Sequence, residues 1–209
     1  MRRQSSEVVV RRTIGLALVG TLIAGAALVG SLVLQTVPSS AESAESAGSV
    51  TSTPVAPPLL GADGSLPEGV TVFDDEYAGV TRLSPELLEA LRAAATAAEA
   101  DGIRFFVNSG WRSPEYQTRL LDDAVAEYGS REEAAKWVAT AETSPHVTGD
   151  AVDVGETDAT SWLSQHGAAF GLCQIYANER WHYELRPEAV TQGCPPMYPD
   201  PTFDPRMRP

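Results

Sequence analysis

Positive charge, cysteine and histidine are all scarce in this sequence. Its 209 residues hold 15 Lys+Arg against 28 Asp+Glu, and four of the cations, Arg2, Arg3, Arg11 and Arg12, precede residue 13. Only Glu7 among the acids lies before residue 42, so the remainder carries 11 basic against 27 acidic residues. Such a surface repels phosphate backbones, and no basic stripe or interleaved aromatic platform offsets the repulsion, which excludes nucleic acid as a partner. Cys173 and Cys194 are the only cysteines, and without CxxC spacing they exclude a zinc knuckle. No internal repeat is present, and oligomeric state has no signature in the sequence.

Charge is missing altogether between Thr13 and Ala41. Within that gap Ile14 to Val37 is apolar on every face and long enough to cross a bilayer, whereas a buried soluble helix shows a stripe. The sequence therefore predicts a basic cytoplasmic segment (1–12) and a signal-anchor (13–37), with the chain beyond it outside the cell membrane because the arginines lie only on the N-terminal side. A cleaved signal peptide processed near Ser39-Ser40-Ala41 is the alternative, and it exports the domain equally. In an oxidising compartment an even cysteine count points to a Cys173–Cys194 disulfide, the alternative being two buried thiols.

Residues 38–67 are rich in Ser, Ala, Pro, Gly and Glu and nearly free of large apolar residues, the composition of a disordered stalk. A domain over 68–195 and an irregular Pro-rich tail over 196–209 follow. Ser84-Pro85-Glu86 and Ser113-Pro114-Glu115 each supply an N-cap, a proline at the first helical position and an early acid, predicting helices to about Ala100 and Tyr128. Ser130 opens a third helix to about Thr140, and Asp158 to Phe170 reads as a fourth, capped by Gly171. Ile103–Val107, Ala151–Val154, Gln174–Tyr176 and Trp181–Leu185 read as short strands, and 141–149 as a loop. This order implies an α+β fold, a small antiparallel sheet flanked by helices.

Alternation along the strands decides which residues are presented. If Val152 and Val154 face the core, Asp153 faces the opposite side, and if Trp181 and Tyr183 share one face, His182 and Glu184 share the other. His146, Asp153 and His182 then make two imidazoles and one carboxylate, the donor set of a catalytic zinc with one position left open. Non-haem iron uses a similar set, but commonly with its first His and acid nearly adjacent. Glu179 sits on the bend that Ala177-Asn178 signals, from where it can act as a general base. His166 lies one turn after Trp162 on the fourth helix and reads as a packing or surface residue.

These segments resemble the VanX/VanY-like zinc D-alanyl-D-alanine peptidases, which share the Hedgehog/DD-peptidase fold. The matches run in order: Ser109-Gly110-Trp111-Arg112-Ser113, Ser144 to Asp153 as SxHxxGxAxD, Trp162 to Gly171, and Glu179 to Tyr183 as ExWHY. The resemblance implies Zn2+ held by His146, Asp153 and His182, Glu179 as base, and Arg112 polarising the scissile carbonyl. It also implies Ser144 as the anchor of the substrate carboxylate, although a serine there can equally cap backbone amides. The activity implied is a D,D-carboxypeptidase acting on peptidoglycan stem peptides. An L,D-peptidase or endopeptidase of the same fold, or a membrane-tethered wall-binding protein without turnover, are the other readings.

Overall fold

The computed structural model describes residues 58–208. The predicted basic segment, the signal-anchor and the stalk up to residue 57 lie outside the described residues, within which no helix is long and apolar enough to cross a membrane.

A single turn, α1 (Ala78–Thr81), precedes the principal helix α2 (Pro85–Glu99). Helix α2 buries Leu87, Leu91, Ala94, Ala95 and Ala98, the one-face spacing of an amphipathic helix. In α3 (Pro114–Tyr128) the Ser113 hydroxyl accepts the Tyr116 N–H, and Gly129 closes the helix at φ 81°, a left-handed conformation natural to glycine. Ser130 caps α4 (Arg131–Ala134) in the same way through the Glu133 N–H. The turn α5 (Pro145–Thr148), α6 (Thr157–His166) and α7 (Ala189–Gln192) complete the helices, with 3-10 turns at Gly167–Phe170, Pro201–Phe203 and Pro205–Met207.

Four strands form one antiparallel sheet: β1 (Phe106–Ser109), β2 (Ala151–Gly155), β3 (Leu172–Gln174) and β4 (His182–Leu185), in the order β1-β2-β4-β3. Val107, Val152, Val154 and Tyr183 enter the main core with Leu87 and Leu91 of α2 and Trp162 and Leu163 of α6. His166 is exposed and packs its ring against Trp162 with centroids 4.6 Å apart, in keeping with the packing or surface role expected of it. Alternation leaves the other face of β2 and β4 to Asp153, His182 and Glu184, and the register sets Asp153 directly opposite His182. The expected α+β architecture is therefore present.

Several boundaries differ from the sequence reading, each for a local reason. Strand β1 starts at Phe106 and not Ile103, because the Ile103 N–H closes the end of α2 on the Ala98 carbonyl at 3.0 Å. Helix α4 stops at Ala134, short of Thr140, as the Lys136 and Trp137 amides turn back to Glu133 and Ala134. The loop 141–149 contains α5, and β3 lies two residues earlier than expected. Residues 58–67, assigned by composition to the stalk, pack on the domain instead. Leu60 bridges Tyr77, the Ser113 amide donates to the Asp63 carbonyl, and a Cβ on Gly64 would meet the Trp111 carbonyl at 2.1 Å. Residues 196–208 of the predicted tail are also more ordered than their proline content suggests, since Tyr198 bridges Tyr176 and Asp204 is wholly buried.

Cys173 in β3 and Cys194 are joined by the expected disulfide, across 21 residues of chain. Replacing both cysteines by serine is expected to lower unfolding stability by about 3 kcal/mol through the restored freedom of the unfolded chain. Urea titration measures this, and an unchanged midpoint would refute it.

Candidate metal centre

The antiparallel pairing of β2 with β4 brings Asp153 and His182 together, and α5 delivers His146 from above. A close approach makes that delivery possible: Gly110 sits against the carbonyl of Gly79, where a Cβ would come to 2.0 Å. The Gly110 carbonyl in turn accepts a hydrogen bond from His146 Nδ1 at 2.8 Å. His182 directs its Nε2 at Glu184 Oε1, 3.3 Å away. In the neutral tautomers that these contacts select, His146 Nε2 and His182 Nδ1 are the nitrogens left with a bare lone pair.

Those two nitrogens stand 3.3 Å apart, and Asp153 Oδ1 lies 3.5 Å from the first and 3.3 Å from the second. All three residues are buried, and Asp153 Oδ1 has no hydrogen-bond partner. Three electron-pair donors facing one another in a buried triangle call for a cation at its centre. Tetrahedral zinc with ligands at about 2.0–2.1 Å separates them by about 3.3–3.4 Å, so the triangle fits the ion without rearrangement.

The surroundings hold Asp153 ionised and His146 neutral, the forms that bind a cation, whereas His182 is drawn toward its protonated form, and a metal would displace that proton. Burial pushes the Asp153 carboxyl up, but His146, His182 and Arg112 override it and hold the group well below the usual carboxylate range. His146 is lowered by its burial and by the Arg112 cation. His182, which burial alone would lower, is pushed up to about 9 by Asp153 and Glu184.

Glu179 occupies the bend before β4, where its amide donates to the Tyr176 carbonyl and its own carbonyl accepts the His182 amide. Its Oε2 lies 3.6 Å from His182 Nδ1, and its Oε1 is buried without a partner. Burial pushes this carboxyl up to about 7. Arg112 follows β1 and is clamped by three acceptors: Ser109 Oγ at 2.7 Å, Gln117 Oε1 at 3.1 Å and Asp153 Oδ2 at 2.7 Å. Ser144 precedes α5 with a side chain that caps no amide, so the capping alternative is not realised. Arg112, Ser144, His146, Asp153, Glu179 and His182 all line one cavity of about 300 Å3. Its walls include the stacked pair Tyr128 and Trp137, and Trp181, which is 41% exposed.

Sequence reasoning left several contributors without a role. Gln117 carries no sequence signal beyond its place in a helix, yet it is buried and braces Arg112. Glu184 shares the face of His182, as alternation predicts, and meets that imidazole's Nε2. Pro201 and Met207, in the supposedly irregular tail, line the cavity as well. Strand alternation was the available signal for Glu184, whereas nothing local marks the tail residues.

A family model described as VanY, D-alanyl-D-alanine carboxypeptidase, matches residues 80–188, just over half the chain and the whole run from Arg112 to Glu184. The chain belongs to the VanY family. A D-alanyl-D-alanine carboxypeptidase of Enterococcus faecalis is 34% identical over 127 residues, covering 49% of this chain and 46% of that relative. This VanY-family chain thus spans less than half the length of the curated relative it matches. Among solved structures, a Zn(II) complex of a mutant vancomycin resistance D,D-pentapeptidase VanY is 30% identical at a TM-score of 0.50, covering 53% of this chain and 76% of that one. VanYB in complex with D-Alanine-D-Alanine has the same identity and TM-score and covers 53% and 75%. The zinc complex and the donor triangle agree on Zn2+ as the metal of the site.

His182→Ala is expected to abolish stoichiometric zinc binding, measured by elemental analysis of the dialysed protein. His166→Ala, at an exposed position outside the cavity lining, should leave one zinc per chain, and loss of metal in that variant would contradict the assignment.

Proposed function

We propose that this domain is a zinc-dependent D,D-carboxypeptidase that removes the terminal D-Ala of peptidoglycan stem peptides. His146, Asp153 and His182 hold the metal, Glu179 is the base, Arg112 faces the developing negative charge and Ser144 receives the substrate carboxylate. The observation that carries the reading is the donor triangle sharing one cavity with a buried glutamate oxygen that has no partner of its own.

Zinc, when bound, supplies Lewis-acid activation of water and of the scissile carbonyl. Glu179 Oε1 is free to take a proton from the attacking water and to return it to the departing D-Ala amine. A carboxylate held from bulk solvent on a hydrogen-bonded bend keeps that oxygen at a fixed position. Arg112 is a permanent cation whose guanidinium cannot rotate away, because Ser109, Gln117 and Asp153 each fix one of its nitrogens. A cation fixed before charge develops stabilises the transition state without reorganisation. The Ser144 hydroxyl, uncommitted to the backbone, offers a donor to an anionic group in the cavity.

The export reading belongs to the same proposal. The Cys173–Cys194 disulfide supports an oxidising compartment, and the anchor predicted over 13–37 supports a single-pass protein of the cell membrane, or a secreted one if processed. The peptidoglycan substrate occupies that compartment.

Incubation of the chain with zinc and a synthetic stem pentapeptide is expected to release free D-Ala, identified by mass spectrometry. Release of a D-amino acid from a tetrapeptide alone, or cleavage within a cross-link, would replace the D,D assignment by the L,D or endopeptidase reading. Hydrolysis of no stem peptide by the zinc-loaded protein would sink the enzymatic reading in favour of wall binding. Glu179→Gln should keep its zinc and lose kcat by about 10²–10⁴-fold, and an active variant would show that the base lies elsewhere.

A further inference from the structure

Beyond residue 188, where the family match ends, the chain returns to the back of the metal centre. Cys194 is tied to β3, the Tyr198 amide donates to the Ile175 carbonyl at 2.9 Å, and the Ala177 amide donates to the Tyr198 carbonyl at 2.8 Å. These ties lead the tail to the two 3-10 turns at Pro201–Phe203 and Pro205–Met207. Asp204, wholly buried, opens the second of them by accepting the Arg206 amide, and also accepts the Tyr176 hydroxyl at 3.0 Å. Arg206 is thereby aimed at Glu184.

Glu184 is buried two residues after His182 on the same face of β4. Arg206 grips it with both terminal nitrogens, Nη1 to Oε2 at 2.7 Å and Nη2 to Oε1 at 3.1 Å. Arg186 adds a third bond to Oε2 at 2.7 Å. A two-pronged guanidinium–carboxylate contact fixes the plane of the carboxylate as well as its position. Oε1, the oxygen held by Arg206 alone of the two arginines, is the one that faces His182 Nε2. A carboxylate accepting the outer N–H of a metal-bound imidazole sets the tautomer and the ring orientation.

We propose that the C-terminal segment Tyr198–Met207 is a working part of the metal centre, with Arg206 as a positioning residue. Through Glu184 it holds His182 with Nδ1 turned toward Asp153 and His146. The inference rests on the reading of His182 as a zinc ligand. It adds that affinity for the metal depends on a residue outside the matched family region, over a chain of three side chains: Arg206, Glu184 and His182.

The test is zinc affinity of the full chain, measured by competition of the metal-free protein with a chromophoric chelator. Arg206→Met is expected to weaken zinc binding by about 10–100-fold, the range for losing an outer partner of a ligand histidine. Arg206→Lys, which keeps a cation but not the fork, should recover part of the loss. Glu184→Gln should weaken binding to a similar degree, and the double variant should lose little more than either single one, since the two residues act in series. Thermal unfolding of the metal-free variants separates this from general destabilisation. A lowered melting temperature with zinc affinity unchanged would overturn the proposal, as would full additivity of the two substitutions. If Arg206→Met does not fold, unchanged affinity in Arg206→Lys together with Glu184→Gln would also overturn it. Absence of tight zinc binding in the unsubstituted chain would instead sink the underlying reading of the site.

Discussion

The register between two short strands is the constraint on which everything else depends. Asp153 pairs directly with His182, and because side chains alternate, a slip of one residue in either strand would turn its donor into the core and carry its apolar neighbour, Val152 or Tyr183, to the opposite face. The apolar partners on the opposite face hold the register. Val152, Val154 and Tyr183 pack under α2 and α6, so the hydrophobic energy of the core fixes the polar geometry on the other side of the sheet. Arg112 and His146 are then brought in from flanking segments, by the chain leaving β1 and by α5. The two are tied together, since the Arg112 amide donates to the His146 carbonyl and His146 Nδ1 meets the carbonyl of Gly110, a residue with no room for a Cβ beside Gly79.

Charge balance is the second organising theme. Asp153, Glu179, Glu184 and Asp204 are all buried, and ionised groups removed from water are destabilising by several kcal/mol each unless paired. Arg112 answers Asp153, Arg186 and Arg206 answer Glu184, and Arg206 also answers Asp204. In a chain so short of cations, three of them are committed to the site or its immediate support. Glu179 receives no such partner and is the carboxyl that burial pushes up, in contrast to Glu184, which is held well below its ordinary range despite its burial. Two glutamates five residues apart thus have opposite environments, suited to moving a proton in one case and to holding an orientation in the other.

Much of this was legible before the fold. The Ser-Pro-Glu openings at Ser84 and Ser113 located two helices because helix-start signals are local, although only the Ser113 side chain accepts a capping amide. Strand alternation placed Asp153, His182 and even Glu184 on one face because a period of two survives in any short strand. The bend carrying Glu179 was visible in Ala177-Asn178. Less legible was everything that depends on distant partners. Composition assigned residues 58–67 to the stalk and 196–209 to an irregular tail, yet Asp63 supports the segment carrying Arg112 and Arg206 supports the segment carrying His182. A Pro-rich stretch with few apolar residues carries no periodic signal, and its order is supplied by hydrogen bonds to carbonyls and carboxylates elsewhere in the chain.

The way the donors are hung has a consequence for the order of events during folding. His146, Asp153 and His182 come from separate stretches, and the last two meet only after β2 and β4 have paired. An ion cannot gather them cheaply from the unfolded chain, as it can gather closely spaced cysteines and histidines in a zinc finger, because the intervening loops must first be closed. Metal capture is therefore a late step that follows the sheet and its core. The ion arrives at a finished cradle, and it reports that the chain has folded correctly without having directed it to do so.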